Sequence, residues 1–256
     1  MSSIFKGALK LLAGLLFIAL LAAVGLWYVV FADLSPLADA SPLKGVHVVK
    51  DSIVGVGVLD VGDKQVALID CGNDGDGTAV LEQLSKRGLS ADSVVAIFLT
   101  HGHRDHTSGC HLFHKAQIYA LEADVPLVEG RAASHGPITQ FMPAKPSGIR
   151  VSHVVHDGEV VQVGTVPVRV LEVPGHTPGS AAYLAESCLF VGDSANVTSW
   201  GELVGAPWPF TDDTARNRAS VKALDGKLSN DRDSIVAIVP AHSGIVDYSA
   251  LKRFVP

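Results

Sequence analysis

The segment Phe98-Leu99-Thr100-His101-Gly102-His103-Arg104-Asp105-His106 sets four side chains able to bind a metal, His101, His103, Asp105 and His106, directly after an apolar run. Imidazoles and carboxylates together suit zinc and also admit iron or manganese. Val94 to Leu99 is β-branched and apolar enough to be a buried strand, so the ligands emerge at a strand's carboxyl end, where open α/β sheets place their sites. His101 and His103 lie two apart. In extended backbone that spacing turns both rings to one side, whereas on a helix they would diverge by roughly 200°, so the pair reads as a strand-end chelate. Gly102 between them lets the backbone bend close to an ion. Asp105 and His106 can then reach a second position about 3.5 to 4 Å away, the spacing of two-metal sites.

A loose histidine tract is the competing reading, because His111 and His114 follow closely. Distant segments argue against it. Pro174-Gly175-His176-Thr177-Pro178-Gly179-Ser180, Phe190-Val191-Gly192-Asp193 and Pro240-Ala241-His242-Ser243-Gly244 each put one ligand type after an apolar run.

Through its H-x-H-x-D-H motif, the P-G-H-T-P-G-S segment, the G-D and the late A-H-S-G, the chain resembles the metallo-β-lactamase superfamily over roughly residues 45 to 245. The resemblance implies an αββα sandwich of two mixed sheets flanked by helices, with metals at one edge. Carried over residue by residue, it implies that His101, His103 and His176 hold a first metal, Asp105, His106 and His242 a second, and that Asp193 bridges them. Two Zn2+ per chain are expected from that set, with iron or manganese as alternatives. Such a pair lowers the pKa of a shared water towards about 7, giving a bridging hydroxide, and Asp105 is the residue expected to orient it and carry its proton.

A bridging Asp is missing from the usual zinc β-lactamase pattern, so Asp193 resembles hydrolases such as glyoxalase II, lactonases and aryl esterases. Residues 243–256, all that follow His242, are too few for the carboxy-terminal substrate helices of glyoxalase II. A small ester, lactone or thioester is the expected substrate. The alternatives are an iron-dependent oxidoreductase similar to persulfide dioxygenases and a β-lactamase-like amide hydrolase. The chain has no G-x-S-x-G, P-loop or dinucleotide fingerprint.

Positioning these ligands takes two sheets. Val46 to Val49, Ile53 to Asp60 and Gln65 to Asp70 read as successive strands, followed by a glycine-rich turn and a helix over Thr78 to Arg87. Asp70 reads either as a partner that orients a ligand histidine or as a turn cap; with no Glu at the twelfth position, the segment is not an EF-hand. A short helix is expected over Thr107 to His114, a strand over Gln117 to Ala120 and a helix over Glu122 to Glu129. Gly130 to Arg150, with Pro137, Pro143 and Pro146, reads as a long irregular loop over the metal rim. His135, Phe141 and Met142 are its candidate substrate contacts, with surface packing as the competing reading. Val151 to Val155, Glu159 to Val163, Val166 to Val173, Ala181 to Ala185 and Cys188 to Val191 are expected to form the second sheet, followed by a helix over Thr211 to Leu228 capped by Asp212 or Asp213 and a last strand over Ser234 to Val239. Trp200, Trp208 and Phe210 suggest an apolar wall beside the site, against readings as core packing or lipid contact.

Leu11 to Ala32 carries no charged side chain and matches a hydrocarbon core of about 30 Å at about 1.5 Å per residue. Lys6 and Lys10 before it, and Trp27 and Tyr28 near its far end, orient the amino terminus to the cytoplasm and the catalytic domain to the periplasmic side. The competing reading is a cleaved signal with Ala38-Asp39-Ala40 as the cleavage site and a secreted product. The expected domains are an anchor over 1–34, a linker over 35–44 and a hydrolase domain over 45–256. Cys71, Cys110 and Cys188 lack CxxC spacing and are expected as buried small hydrophobes. With 20 basic against 26 acidic residues and no Lys/Arg run beyond two, a nucleic-acid footprint is missing; the expected partners are a small-molecule substrate and the membrane.

Overall fold

A computed structural model describes residues 3–256, with side chains from residue 7 onward, so the Lys6 side chain of the orientation argument lies outside the described residues. The chain divides into two units, Met1–Leu34 and Ser35–Pro256. The first is one helix, α1 (Ser3–Phe31). Its Gly7–Phe31 stretch, 25 residues with mean hydropathy 2.5, is long and apolar enough to cross a membrane.

Among the described residues of the second unit, a seven-stranded sheet runs β1 (Ala40–Leu43), β2 (Val46–Asp51), β3 (Val54–Gly62), β4 (Gln65–Ile69), β5 (Val94–Phe98), β6 (Gln117–Leu121) and β7 (His153–Val155) in spatial order. It is antiparallel from β1 to β4 and parallel from β4 to β7. Three helices punctuate it, α2 (Thr78–Lys86), the single turn α3 (Arg104–Thr107) and α4 (Val125–Val128). The second sheet has five strands, β8 (Val160–Val163), β9 (Val166–Glu172), β10 (Ala181–Ala185), β11 (Cys188–Gly192) and, parallel to β11 on its far side, β14 (Ala237–Pro240). Between β11 and β14 come the hairpin β12 (Ala195–Val197) with β13 (Leu203–Gly205) and the helix α5 (Thr214–Lys227); α6 (Ser249–Arg253) follows.

Both sheets are apolar on both faces because each is covered twice, and the period-two alternation sorts the side chains. Ala67, Ile69, Ala96 and Phe98 face the second sheet and meet Val168, Val170, Tyr183 and Phe190. Val66, Leu68 and Ile97, one residue out of phase, pack with Val80 and Leu84 of α2. Leu171, Leu189 and Ile238 turn outward to Val221, Leu224 and Leu251 of α5 and α6. The result is the four-layer αββα sandwich. Fully buried Tyr183 links its halves, donating from its hydroxyl to the Leu99 carbonyl at 2.7 Å immediately before the histidine motif.

Several expectations are corrected. Val151 to Val155 does not open the second sheet; His153–Val155 pairs in parallel with β6, because β6 still offers a free edge and periodicity does not say which sheet an apolar run joins. The 35–44 linker carries β1, and Ser35 is already tied in by its N–H to the Val197 carbonyl and by its carbonyl from Gly244 N. The helix over Thr107 to His114 is replaced by α3 and a 3-10 turn at Cys110–Leu112, with Gly109 between them packed against the Cys71 carbonyl. Cys71 and Cys110 are not independent small hydrophobes: they form a disulfide, Cα atoms 5.1 Å apart, across a sequence separation of 39 that gave no local signal. Cys188 is free and buried.

Closing a loop of that length restricts the unfolded chain by about 3 to 4 kcal/mol. Urea unfolding of the metal-loaded protein with and without reductant should show a loss of that order, and an unchanged midpoint would count against the disulfide as a stabilising link.

Candidate metal centre

The β5 strand ends at Phe98, and Leu99 and Thr100 carry the chain out of the sheet to His101 and His103. Asp105 and His106 ride on α3, and His176 on the loop after β9. Asp193 follows β11 and His242 follows β14, adjacent parallel strands whose carboxyl ends point the same way. Gly192 has φ 54° and approaches so closely that an added Cβ would lie 2.5 Å from Thr100 Oγ1; this swings Asp193 inward. Gly102 needs its missing side chain for a different reason from the one expected. A Cβ there would meet Val128 N of α4 at 2.7 Å.

All seven motif residues converge. His176 Nε2 lies 3.2 Å from His101 Nε2 and 3.0 Å from His103 Nδ1. Asp193 Oδ1 lies 3.0 Å from His106 Nε2 and 3.2 Å from His242 Nε2, while its Oδ2 faces His176 Nε2 at 3.5 Å. Asp105 Oδ2 closes the second group, 3.3 Å from His242 Nε2 and 3.8 Å from His106 Nε2. The groupings His101/His103/His176 and Asp105/His106/His242 each gather their ligand atoms within 4.8 Å, as does His101/His106/Asp193.

The hydrogen bonds behind the rings decide which nitrogens face inward as lone pairs. Thr100 Oγ1 donates to Asp70 Oδ2 and so accepts at 3.1 Å from His101 Nδ1. Thr211 Oγ1 donates to the Pro207 carbonyl and accepts at 3.2 Å from His176 Nδ1. His106 Nδ1 donates to Asp70 Oδ2 at 2.8 Å, and His242 Nδ1 donates to the Ile53 carbonyl at 2.6 Å. Four Nε2 atoms are thereby aimed at shared points. His106 Nε2 and Asp193 Oδ1 are buried without a hydrogen bond of acceptable geometry, and nitrogens 3.0 to 3.2 Å apart match ligand spacing around a tetrahedral ion about 2.0 to 2.1 Å from each. The residues fit a metal.

The two groups differ in charge. Desolvation above all, with neighbouring imidazoles, holds His101 well below the usual histidine range, and desolvation brings His176 to about 3, so the first group is a neutral triad. In the second, desolvation also acts downward but Asp193 and the other carboxylates outweigh it, carrying His106 well above its ordinary value and His242 to about 10.

Asp70 reads clearly. It accepts from Thr100 N, Thr100 Oγ1 and His106 Nδ1, each at 2.8 Å, and so orients the His106 ring. Asp124 was not anticipated. Buried to 1 % exposure, it accepts from Gly102 N at 2.8 Å, Gly179 N at 2.8 Å and Thr177 Oγ1 at 2.9 Å, clamping the first histidine turn to the His176 turn; desolvation raises it to about 6. Asp124 lies in a polar stretch between short elements and carries no motif, so only the folded loops reveal it. Of the rim candidates, His135, Phe141, Met142 and Trp208 are exposed on segments that pack together, whereas Trp200 sits at the β12–β13 turn with its indole N–H on Glu202 at 2.7 Å.

The Metallo-beta-lactamase superfamily family model matches residues 51–242. The chain belongs to the metallo-β-lactamase superfamily. Within that superfamily it is similar to a hydroxyacylglutathione hydrolase of Shewanella sp. (strain ANA-3), 35% identical over 132 residues, which cover 50% of this chain and 44% of the relative. A hydroxyacylglutathione hydrolase of Xanthomonas campestris pv. campestris (strain B100) is 29% identical over 163 residues, 64% of this chain and 54% of the relative. The chain spans about half the length of the curated relatives it matches. Among solved structures, a B3 metallo-β-lactamase with an active-site glutamic acid superposes with TM-score 0.64 at 19% identity, covering 86% of this chain and 90% of that one. A superfamily protein of Sulfolobus tokodaii gives 0.59 at 21%, covering 82% and 84%. These structural likenesses establish the fold.

Asp70→Asn would leave His106 Nδ1 facing a weaker acceptor. Metal retention at the second group should fall by about 10- to 100-fold in chelator competition. Unchanged retention would mean that Asp70 only caps its turn.

Proposed function

We propose that this superfamily member is a dinuclear metal-dependent hydrolase, with zinc the default metal, that cleaves a small ester, lactone or thioester. The observation that carries the reading is Asp193, whose Oδ2 faces the first histidine group and whose Oδ1 faces the second. His101, His103 and His176 would hold one ion, Asp105, His106 and His242 the other, and Asp193 both. When bound, two divalent ions supply a water of lowered pKa and polarise the substrate oxygen. Asp105 would accept the proton of the attacking water; its side chain, 27% exposed against 0% for His106 and 7% for Asp193, supports that role because solvent reaches it. Asp70 and Asp124 hold the ligand turns still while this happens.

His103→Ala and Asp193→Ala should each lower activated-ester hydrolysis by at least about a hundredfold, the scale of losing charge stabilisation at the reacting centre. Full activity in both would sink the assignment. Asp193→Ser should keep about one ion per chain, because His101, His103 and His176 remain; two tightly held ions, or none, in elemental analysis would show that Asp193 is misplaced. Assay against lactone, thioester, β-lactam, phosphodiester and sulfate panels identifies the bond cleaved, and metal analysis of protein purified without added zinc separates the iron-dependent alternative.

The reading extends to location, a single-pass anchor with the catalytic unit on the outer side of the membrane. The Cys71–Cys110 disulfide supports it, since disulfides persist in oxidising compartments. Retention of the anchor is supported by Ser35 and Asp39, whose hydrogen bonds to Val197, Gly244 and Lys50 would be lost on cleavage after Ala40. The protein should resist carbonate extraction and lose its catalytic unit to protease added outside spheroplasts; protection from that protease would reverse the orientation.

A further inference from the structure

Past β14 the chain reads Ala241-His242-Ser243-Gly244, one imidazole among three small residues. Small side chains offer little surface to pack, so hydrogen bonds and close backbone approach must fix where His242 points. On one side Ala241 N donates to the Gly192 carbonyl at 3.1 Å, the Ala241 carbonyl accepts from Gly55 N at 2.7 Å, and His242 Nδ1 donates to the Ile53 carbonyl at 2.6 Å. On the other, Val197 N donates at 2.8 Å to Oγ of fully buried Ser243. Gly244 N donates to the Ser35 carbonyl at 3.0 Å, and Ser35 N donates to the Val197 carbonyl at 2.8 Å. Three distant parts of the chain, at 35, 197 and 243–244, therefore close a ring of three hydrogen bonds on the loop that carries His242.

Ser35 opens a stem that crosses both supports of the imidazole. A Cβ on Gly244 would lie 2.5 Å from Ser35 Oγ and 3.3 Å from the Pro36 carbonyl oxygen, so the glycine is there for close approach. Leu37 Cδ1 would meet a Cβ on Gly55 at 3.2 Å, and Asp39 Oδ1 accepts from Lys50 N at 2.7 Å. Residues 35–39 thus lie against the His242 loop at one end and, at the other, against the β2–β3 hairpin whose Ile53 carbonyl receives the imidazole. The first histidine group draws its support from Thr100, Thr211 and Asp124 instead. A disturbance of the stem therefore reaches one group and spares the other.

We propose that residues 35–39 are a strap that positions His242, so that an ion at the Asp105/His106/His242 group is retained only while the segment joining this unit to the apolar helix is in place. This rests on the metal reading above for the ion, but not for the placement of the loop. Ser35 is a positioning residue that acts through Gly244 and Val197. Ser35→Pro removes the N–H that Val197 receives, and Gly244→Ala pushes the His242 loop off the strap.

The test uses the full-length protein in detergent, loaded with zinc. Chelator competition on the wild type should resolve two ions, and His242→Ala identifies which of them belongs to the second group. Ser35→Pro and Gly244→Ala should each weaken that ion by about tenfold and leave the other unchanged. Adding Ser35→Gly to Gly244→Ala removes the Oγ that the new methyl would meet, and should restore the affinity. Independently of metal, amide hydrogen exchange over residues 241–246 should speed up by at least about tenfold in Ser35→Pro. Loss of both ions alike, with a lower thermal midpoint, would make residues 35–39 a general stabiliser and overturn the strap. Unchanged retention in both single variants, or no restoration by Ser35→Gly, overturns it as well. A wild type that holds no zinc, with exchange still faster in Ser35→Pro, would remove the metal reading and sustain the strap; unchanged exchange would overturn both.

Discussion

Four imidazoles, of His101, His106, His176 and His242, each held 3.0 to 3.2 Å from another ring or from the Asp193 carboxylate, are the constraint on which this molecule turns. Burial removes the water that would separate such polar groups. Each is nevertheless held by an acceptor behind its ring: Asp70 behind His106, Thr100 behind His101, Thr211 behind His176 and the Ile53 carbonyl behind His242. Those acceptors sit in four different parts of the chain, so the arrangement exists only when both sheets are registered against each other.

The sandwich supplies that registration through contacts that leave little slack. A Cβ on Gly57 would come within 2.7 Å of the Phe190 ring, so the first sheet is set directly on the strand that delivers Asp193. Phe98 stacks on Tyr119 with centroids 4.6 Å apart, and Tyr183 reaches Leu99 from the opposite sheet. Interiors packed this tightly transmit small displacements rather than absorbing them.

The convergence of the seven residues was legible because they are short-range punctuation: each segment follows an apolar run and is marked by Gly, Pro or another candidate ligand. The sandwich was legible from the same grammar and from the family resemblance. What escaped is long-range or polar without pattern. Asp124 binds Gly102, Thr177 and Gly179 across separations of 22, 53 and 55 residues. Cys71 and Cys110 meet only because the Asp70 turn folds beneath α3. β7 was misassigned because an apolar alternation states which faces it wants covered and not which neighbour it hydrogen-bonds. Asp212 and Asp213 were indistinguishable as helix caps in sequence; in the fold Asp213 caps α5 through Arg216 N, which leaves Asp212 for the rim loop.

The chain's two halves contribute unequally in time. His101 and His103 meet His176 across 75 and 73 residues, so the first candidate ligand group is complete only once His176 has been made, and the second waits for His242. The disulfide closes entirely within the first half. Oxidation can therefore precede the closing of either histidine group, fixing the Asp70 turn against α3 while the second sheet is still being made, so that the long loops between the ligand segments close on a turn that is already tied.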